Sequence, residues 1–181
     1  MKTQTVICPG IHPVKLTTDF VGGMQSIMGR QSHLVLPTQQ YQPYCAIAIL
    51  QWLQRHHPSP QNAPALSFIA FSAGVVGGIG VANWWQLQGG KVASFVAFDG
   101  WGMPLIGNFP VYRVSHDRFT HHTSGFSSGN QLNFYADPEV EHLELWSSPH
   151  TCNGWQVCDS GLKTRCSLPT YLQNILAISN D

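Results

Sequence analysis

The sequence predicts an α/β fold, a mostly parallel sheet of about six strands with helices on both faces. Short apolar runs alternate with longer helix-compatible segments along the chain, the pattern of a parallel sheet covered on both sides. The short runs are rich in β-branched, aromatic and aliphatic residues, which suit strands. At 181 residues and 43% hydrophobic content, the chain can bury a single core without metals or disulfides. No internal repeat, low-complexity tract or linker divides it, so one domain spanning 1–181 is expected.

Strands are predicted at Thr5 to Cys8, His33 to Leu36, Leu66 to Phe71, Val92 to Phe98, Leu132 to Ala136 and His142 to Trp146. Helices are predicted near Thr17 to Met28, Tyr44 to His56, Gly74 to Gln88 and Pro169 to Ile178. In the second helix, Ala46, Ile47, Ile49, Leu50 and Leu53 recur at near-helical spacing after Pro43, a residue suited to a helix start. Trp84 and Trp85 read as core and helix–sheet packing. The segment 100–129 scatters Gly, Pro, Ser and His among aromatics and reads as a lid or active-site excursion over the sheet edge.

Nine Lys plus Arg balance nine Asp plus Glu, and charged residues make up only 10% of the chain. No basic field exists to hold a phosphate backbone, so nucleic acid is not an expected partner. Six Trp and the low charge suit an uncharged or greasy small-molecule substrate. The opening MKTQTVICPGIHP reaches a Pro-Gly turn after a few apolar residues, and the most apolar stretch, Pro64 to Asn83, is broken by Ser and Gly. Neither fits a secretory signal or a spanning helix, and a cytoplasmic protein is expected. Cys8, Cys45, Cys152, Cys158 and Cys166 are odd in number and show no CxxC pair, so they are expected as thiols, not as a zinc site.

The strongest chemical signal is LSFIAFSAGVVGG, in which an apolar strand runs through Ser72 into a glycine-rich helix. Ala70, Ala73 and Gly74 keep the neighbours of Ser72 small, as a nucleophile elbow requires. There the serine sits in a strained backbone conformation, and bulky residues two positions away would collide with strand and helix. Gly77, Gly78 and Gly80 would let the helix pack closely.

With these residues the chain resembles the α/β-hydrolase family, in a minimal form that starts at what would be the third strand of a full-length member. Ala70 replaces the usual first glycine of the elbow. Cys8-Pro9-Gly10-Ile11-His12 looks like the family's oxyanion loop, with Pro9 where His is common. The resemblance implies an oxyanion hole from the backbone N–H groups of Ile11 and Ala73. It also implies a triad in the order Ser, acid, His: Ser72, then Asp137 after the strand Leu132 to Ala136, then His150, with Asp99 as the alternative acid. The short Asp137–His150 connection is like that of cutinase-like esterases. The expected reaction is hydrolysis of an ester, thioester or related acyl bond through an acyl-enzyme on Ser72, needing no cofactor. His12, Trp101, Met103 and Phe109 are expected to contact the acyl substrate, which could be lipid-like.

Two other readings stand beside this one. The fold could serve as a non-catalytic binding module. Gly74, Gly78 and Gly80 also fit the glycine-rich turn of short-chain dehydrogenases, with Asp99 as a ribose-binding acid, which would make the protein a nicotinamide-nucleotide oxidoreductase. The glycines follow two earlier strand–helix units instead of opening the fold, and no Tyr-x-x-x-Lys follows them. His116, His121 and His122, near Asp117, read as a polar wall and not as a metal site, because spacings of five and six in a loop fix no ligand geometry.

Overall fold

The computed structural model describes residues 3–28, 33–124 and 132–178. Among these described residues, eight strands form one sheet: β1 (Thr3–Cys8), β2 (His33–Val35), β3 (Ala65–Phe71), β4 (Val92–Phe98), β5 (Val111–Ser115), β6 (Asn133–Ala136), β7 (Asn153–Val157) and β8 (Lys163–Ser167). Their spatial order is β2-β1-β3-β4-β5-β6-β7-β8. The pairings from β2 through to β6 are parallel, while β6–β7 and β7–β8 are antiparallel. The sheet is therefore mostly parallel, as predicted, and larger than predicted by two strands.

Seven α-helices are described: α1 (Val14–Gly23), α2 (Gln25–Met28), α3 (Ala46–His56), α4 (Ala73–Leu87), α5 (Arg118–Thr123), α6 (His142–Ser147) and α7 (Leu168–Ile178). The period-two alternation of the strands divides the interior into two clusters. On one face Val6, Phe68, Ala70 and Phe95 pack with Ile49 and Leu53 of α3 and with Val75, Ile79 and Trp85 of α4. On the other, Ile7, Ile69, Phe71, Val96 and Phe98 pack with Phe20 of α1, Trp146 of α6 and Tyr171 of α7. Helices thus cover both faces. Trp85 is fully buried, as its predicted packing role requires, while Trp84 is only half-buried.

Three expectations are corrected. His142 to Trp146 is not a strand but the helix α6, because His142, Leu145 and Trp146 fall at i, i+3 and i+4 on one face, and Leu145 and Trp146 are buried. The segment 100–129 contains β5, a sheet strand paired with β4 and β6, and the helix α5. Its run VYRVS hides the strand pattern behind Arg113, which is half-buried and turns its guanidinium to the carbonyl of His121 and the hydroxyl of Ser124. Last, β7 and β8 were not expected. They carry Gly, Gln, Lys, Thr and Arg on a half-exposed antiparallel hairpin, where apolar alternation is not needed.

The thiols Cys8 and Cys152 are buried, and burial pushes each up to about 12, with Glu144 adding to the effect at Cys152. All five cysteines are free. No helix among the described residues is long and apolar enough to cross a membrane.

Candidate active site

Ser72 occupies the turn between β3 and α4 with φ 52° and ψ −120°. A non-glycine residue in this region carries strain of order 1–3 kcal/mol and persists only where its surroundings hold it. Here its N–H donates to the carbonyl of Phe98 at 2.9 Å, which ties the turn to the end of β4. The small neighbours have visible reasons. A Cβ on Gly74 would overlap the carbonyl oxygens of Cys8 and Pro9, so only glycine lets α4 start against the end of β1. A Cβ on Gly10 would lie 3.1 Å from the Cβ of Ser72, so the loop after β1 runs directly along the turn.

Asp99 stands one residue beyond β4, and the β3–β4 register pairs Phe71 with Phe98. Ser72 and Asp99 therefore follow the ends of adjacent parallel strands. The Asp99 side chain is fully shielded from solvent, its backbone has φ 48°, and its N–H donates to the carbonyl of Val114 at 2.9 Å. On the next strand, Val114 pairs with Phe98, and His116 follows the end of β5. The backbone N–H of His116 donates to Asp99 Oδ1 at 3.0 Å, and its Nδ1 lies 2.9 Å from Oδ2.

His142, the first residue of α6, brings its Nδ1 to 2.8 Å from the same Oδ2. Its ring stacks on Phe71, with centroids 4.7 Å apart. The two imidazoles meet edge to face at 6.0 Å. A carboxylate oxygen can only accept, so each Nδ1 carries a proton; in the neutral imidazole the lone pair is then on Nε2. Ser72, Asp99, His116 and His142 line one cavity of about 490 Å³, whose other walls include Ala73, Val76, Gly100 and Trp101.

No family model matches the chain, and no curated protein matches it by sequence. Solved structures do. The NocB thioesterase domain from the Nocardicin cluster aligns over 83% of this chain and 89% of its own, with a TM-score of 0.55 and 13% identity. The covalent complex of that domain with a fluorophosphonate nocardicin G analogue aligns over the same shares, with a TM-score of 0.52 and 12% identity. A Trichoderma reesei cutinase in complex with a C11Y4 phosphonate inhibitor aligns over 82% of this chain and 76% of its own at a TM-score of 0.47 and 15% identity. The chain has an α/β-hydrolase-like fold.

Within this α/β-hydrolase-like fold, the expected site residues separate into two groups. Ser72, Ala73, Asp99 and Trp101 line the cavity. Asp137 lies at the end of β6, where Trp155 Nε1 donates to its carboxylate at 2.6 Å and Arg165 Nη1 lies 3.6 Å away. It lines a separate polar pocket with Arg118, Tyr135 and Lys163. His150 is exposed and sits over the last turn of α1, where a Cβ on Gly23 would come within 2.7 Å of its Nδ1. Neither Asp137 nor His150 is among the residues lining the Ser72 cavity.

Ile11 and His12 line a smaller pocket beside α1, with Thr38 and Pro43. The His12 ring packs against Phe71 at 5.6 Å and Trp146 at 6.4 Å. Phe109 is buried and Met103 packs against the same core, so both face α4 and the sheet. Read as part of a strand, His142 is not among the expected site residues; its i, i+3, i+4 spacing with Leu145 and Trp146 signals the helix it begins but not its contact with Asp99.

The histidines of the segment 100–129 also part company. His116 goes to Asp99, while His121 is buried against Tyr135 and His122, each with ring centroids 5.2 Å away. Burial holds the His121 imidazole down at about 4, helped by the neighbouring Arg113, His122 and Lys163 side chains.

Proposed function

We propose that this protein is a serine hydrolase of acyl bonds, with Ser72 as nucleophile, His142 as general base and Asp99 as the acid that orients it. One observation carries the reading. The buried Asp99 carboxylate takes the Nδ1–H of His142, leaving Nε2 to accept a proton in the cavity that Ser72 also lines, and Ser72 sits there on a strained strand-to-helix turn.

In the first half-reaction, Ser72 Oγ attacks the acyl carbonyl while His142 Nε2 takes the hydroxyl proton. The Asp99 carboxylate, desolvated and fixed by the His116 N–H, stabilises the imidazolium that forms. The imidazolium then protonates the departing alcohol or thiol. In the second half-reaction, water gives a proton to His142 as its oxygen attacks the acyl-enzyme; the imidazolium then returns that proton to Ser72 Oγ as the bond between Oγ and the acyl carbon breaks, and the acid product leaves.

The N–H of Ala73, at the first position of α4, has no carbonyl partner within the helix, and the N–H of Ile11 belongs to the loop that Gly10 lays along Ser72. Together they make the proposed oxyanion hole, each donor worth about 3–4 kcal/mol in the transition state. Val76 and Trp101 give the cavity apolar walls, which favours an uncharged acyl group, lipid-like ones included. The glycines that suggested a dinucleotide turn meet protein instead: Gly74 the loop after β1, Gly78 the Phe95 ring and Gly80 the Cβ of Ala46.

The test is labelling of the purified protein with a fluorophosphonate probe. Labelling of the wild type that disappears in Ser72→Ala and falls steeply in His142→Ala supports the assignment. A folded wild type that takes no label points to a binding module that keeps the fold without the chemistry.

A further inference from the structure

A serine triad needs one histidine on its acid, and Asp99 has two. The Nδ1 atoms of His116 and His142 both converge on Oδ2, at 2.9 and 2.8 Å, and one ligand atom from each of the three residues lies within 4.8 Å of the other two. The hydrolytic steps above leave the His116 ring without a task.

We propose that these three atoms form an inhibitory site for a Zn²⁺-class transition-metal ion. The existence of the site stands on the geometry alone, while its inhibitory effect rests on the hydrolase reading. Two imidazole nitrogens and one carboxylate oxygen are a donor set that Zn²⁺ accepts, with bond lengths of about 2.0–2.2 Å. Tetrahedral ligation would spread neighbouring ligand atoms to roughly 3.3 Å, an opening of about half an ångström from the present hydrogen bonds. The buried Asp99 carboxylate stays fixed through Oδ1, while the two imidazoles are 20% and 39% exposed and can move. A fourth ligand position faces the cavity, where water can fill it.

Metal binding at Nδ1 requires each imidazole to shift its proton to Nε2, with no net gain or loss of protons. For His116 a carboxylate is close by: its Nε2 lies 3.8 Å from Asp117 Oδ2, a separation that a small shift of the ring on metal binding would close to a hydrogen bond, while the other oxygen of that carboxylate caps α5 through the Thr120 N–H. A carboxylate holding the far nitrogen of a ligating histidine is the usual outer support of such sites. For His142 the same shift removes the lone pair that takes the Ser72 proton. Its Nε2 becomes a donor, and the base is switched off with Ser72 untouched.

The experiment titrates Co²⁺ into the chelator-treated wild-type protein, follows its visible ligand-field absorption, and then displaces it with Zn²⁺. One equivalent is expected to bind with the intense absorption of low-coordinate Co²⁺. Binding should be retained in Ser72→Ala, weakened 10–100-fold in Asp117→Asn, and lost in folded His116→Ala. Absence of the absorption, or equal affinity in Asp117→Asn and His116→Ala, overturns the site. Saturating Zn²⁺ is expected to abolish fluorophosphonate labelling, and labelling that persists with the ion bound overturns the inhibition. A wild type that binds Co²⁺ but takes no label without metal removes the hydrolase reading and leaves the ion site standing.

Discussion

The imidazole of His142 lies on the ring of Phe71, with planes inclined by 27°, and the indole of Trp146 lies on that same ring at 5.0 Å and 10°. Phe71 is the residue before Ser72, so the last side chain of β3 supports the proposed base while the next residue is the proposed nucleophile. Replacing it with leucine keeps an apolar core residue at a cost of about 1 kcal/mol but removes the flat support. We expect kcat on a short acyl ester to fall about 10–100-fold with KM little changed; an unaltered kcat would show that Asp99 alone positions His142.

Asp99→Asn leaves the cavity shape intact but offers an amide where Nδ1–H needs an acceptor. Loss of tautomer control in such a variant costs about 10⁴ in kcat. Asp137→Asn, in the separate polar pocket, should leave turnover within about threefold of wild type, given the roughly ±0.5 kcal/mol typical of surface changes. Steady-state kinetics of the two purified variants, side by side, decide which carboxylate serves the histidine.

A methyl group at Gly74 has only backbone atoms to meet, the carbonyls of Cys8 and Pro9, and these cannot swing aside. Gly74→Ala should destabilise the fold by about 3 kcal/mol, the upper end of overpacking costs. Gly22→Ala in α1, where a Cβ meets nothing within 4 Å, should be neutral or stabilising by up to about 1 kcal/mol. Urea midpoints of the two variants provide the comparison.

His121 predicts an acid-sensitive fold. Its imidazole titrates at about 4 in the folded protein against an ordinary 6.5, so the unfolded chain binds the proton more readily. Its contribution is complete above pH 6.5, is lost progressively as pH falls from 6.5 to 4, and amounts to roughly 2–3 kcal/mol over that window. Denaturant midpoints measured from pH 7.5 to 4 should fall for the wild type. His121→Phe, which has no proton to gain, should flatten the lower part of that slope.

Much of the architecture is legible in the sequence, for identifiable reasons. Strands buried on both faces, such as β3 and β4, are apolar runs broken only by Ser67 and Ser94, and α3 and α4 carry helical spacing or a glycine-rich surface, so local composition reveals them. Ser72 is legible because the steric demands of its turn are written in the small residues around it. Asp99 is recognisable only as one of two acids, since its role depends on which strand ends lie beside β3. His142 and His116 are not legible in the same way. They reach Asp99 from 43 and 17 residues away in sequence, through the β4–β5 register and the placement of α6, and no local pattern encodes either.

Ser72, Asp99 and His116 each stand one residue past the end of consecutive strands β3, β4 and β5, so their mutual spacing is inherited from the backbone ladder of the sheet. The wall of the cavity, by contrast, includes Trp101 in the stretch that follows Asp99. The proposed nucleophile and acid are thereby separable from selectivity. Lengthening, shortening or exchanging the stretch after Gly100 would change which molecules are admitted while leaving the proposed nucleophile and its acid where the ladder sets them, a division that makes this small scaffold easy to diversify by natural selection or by loop grafting.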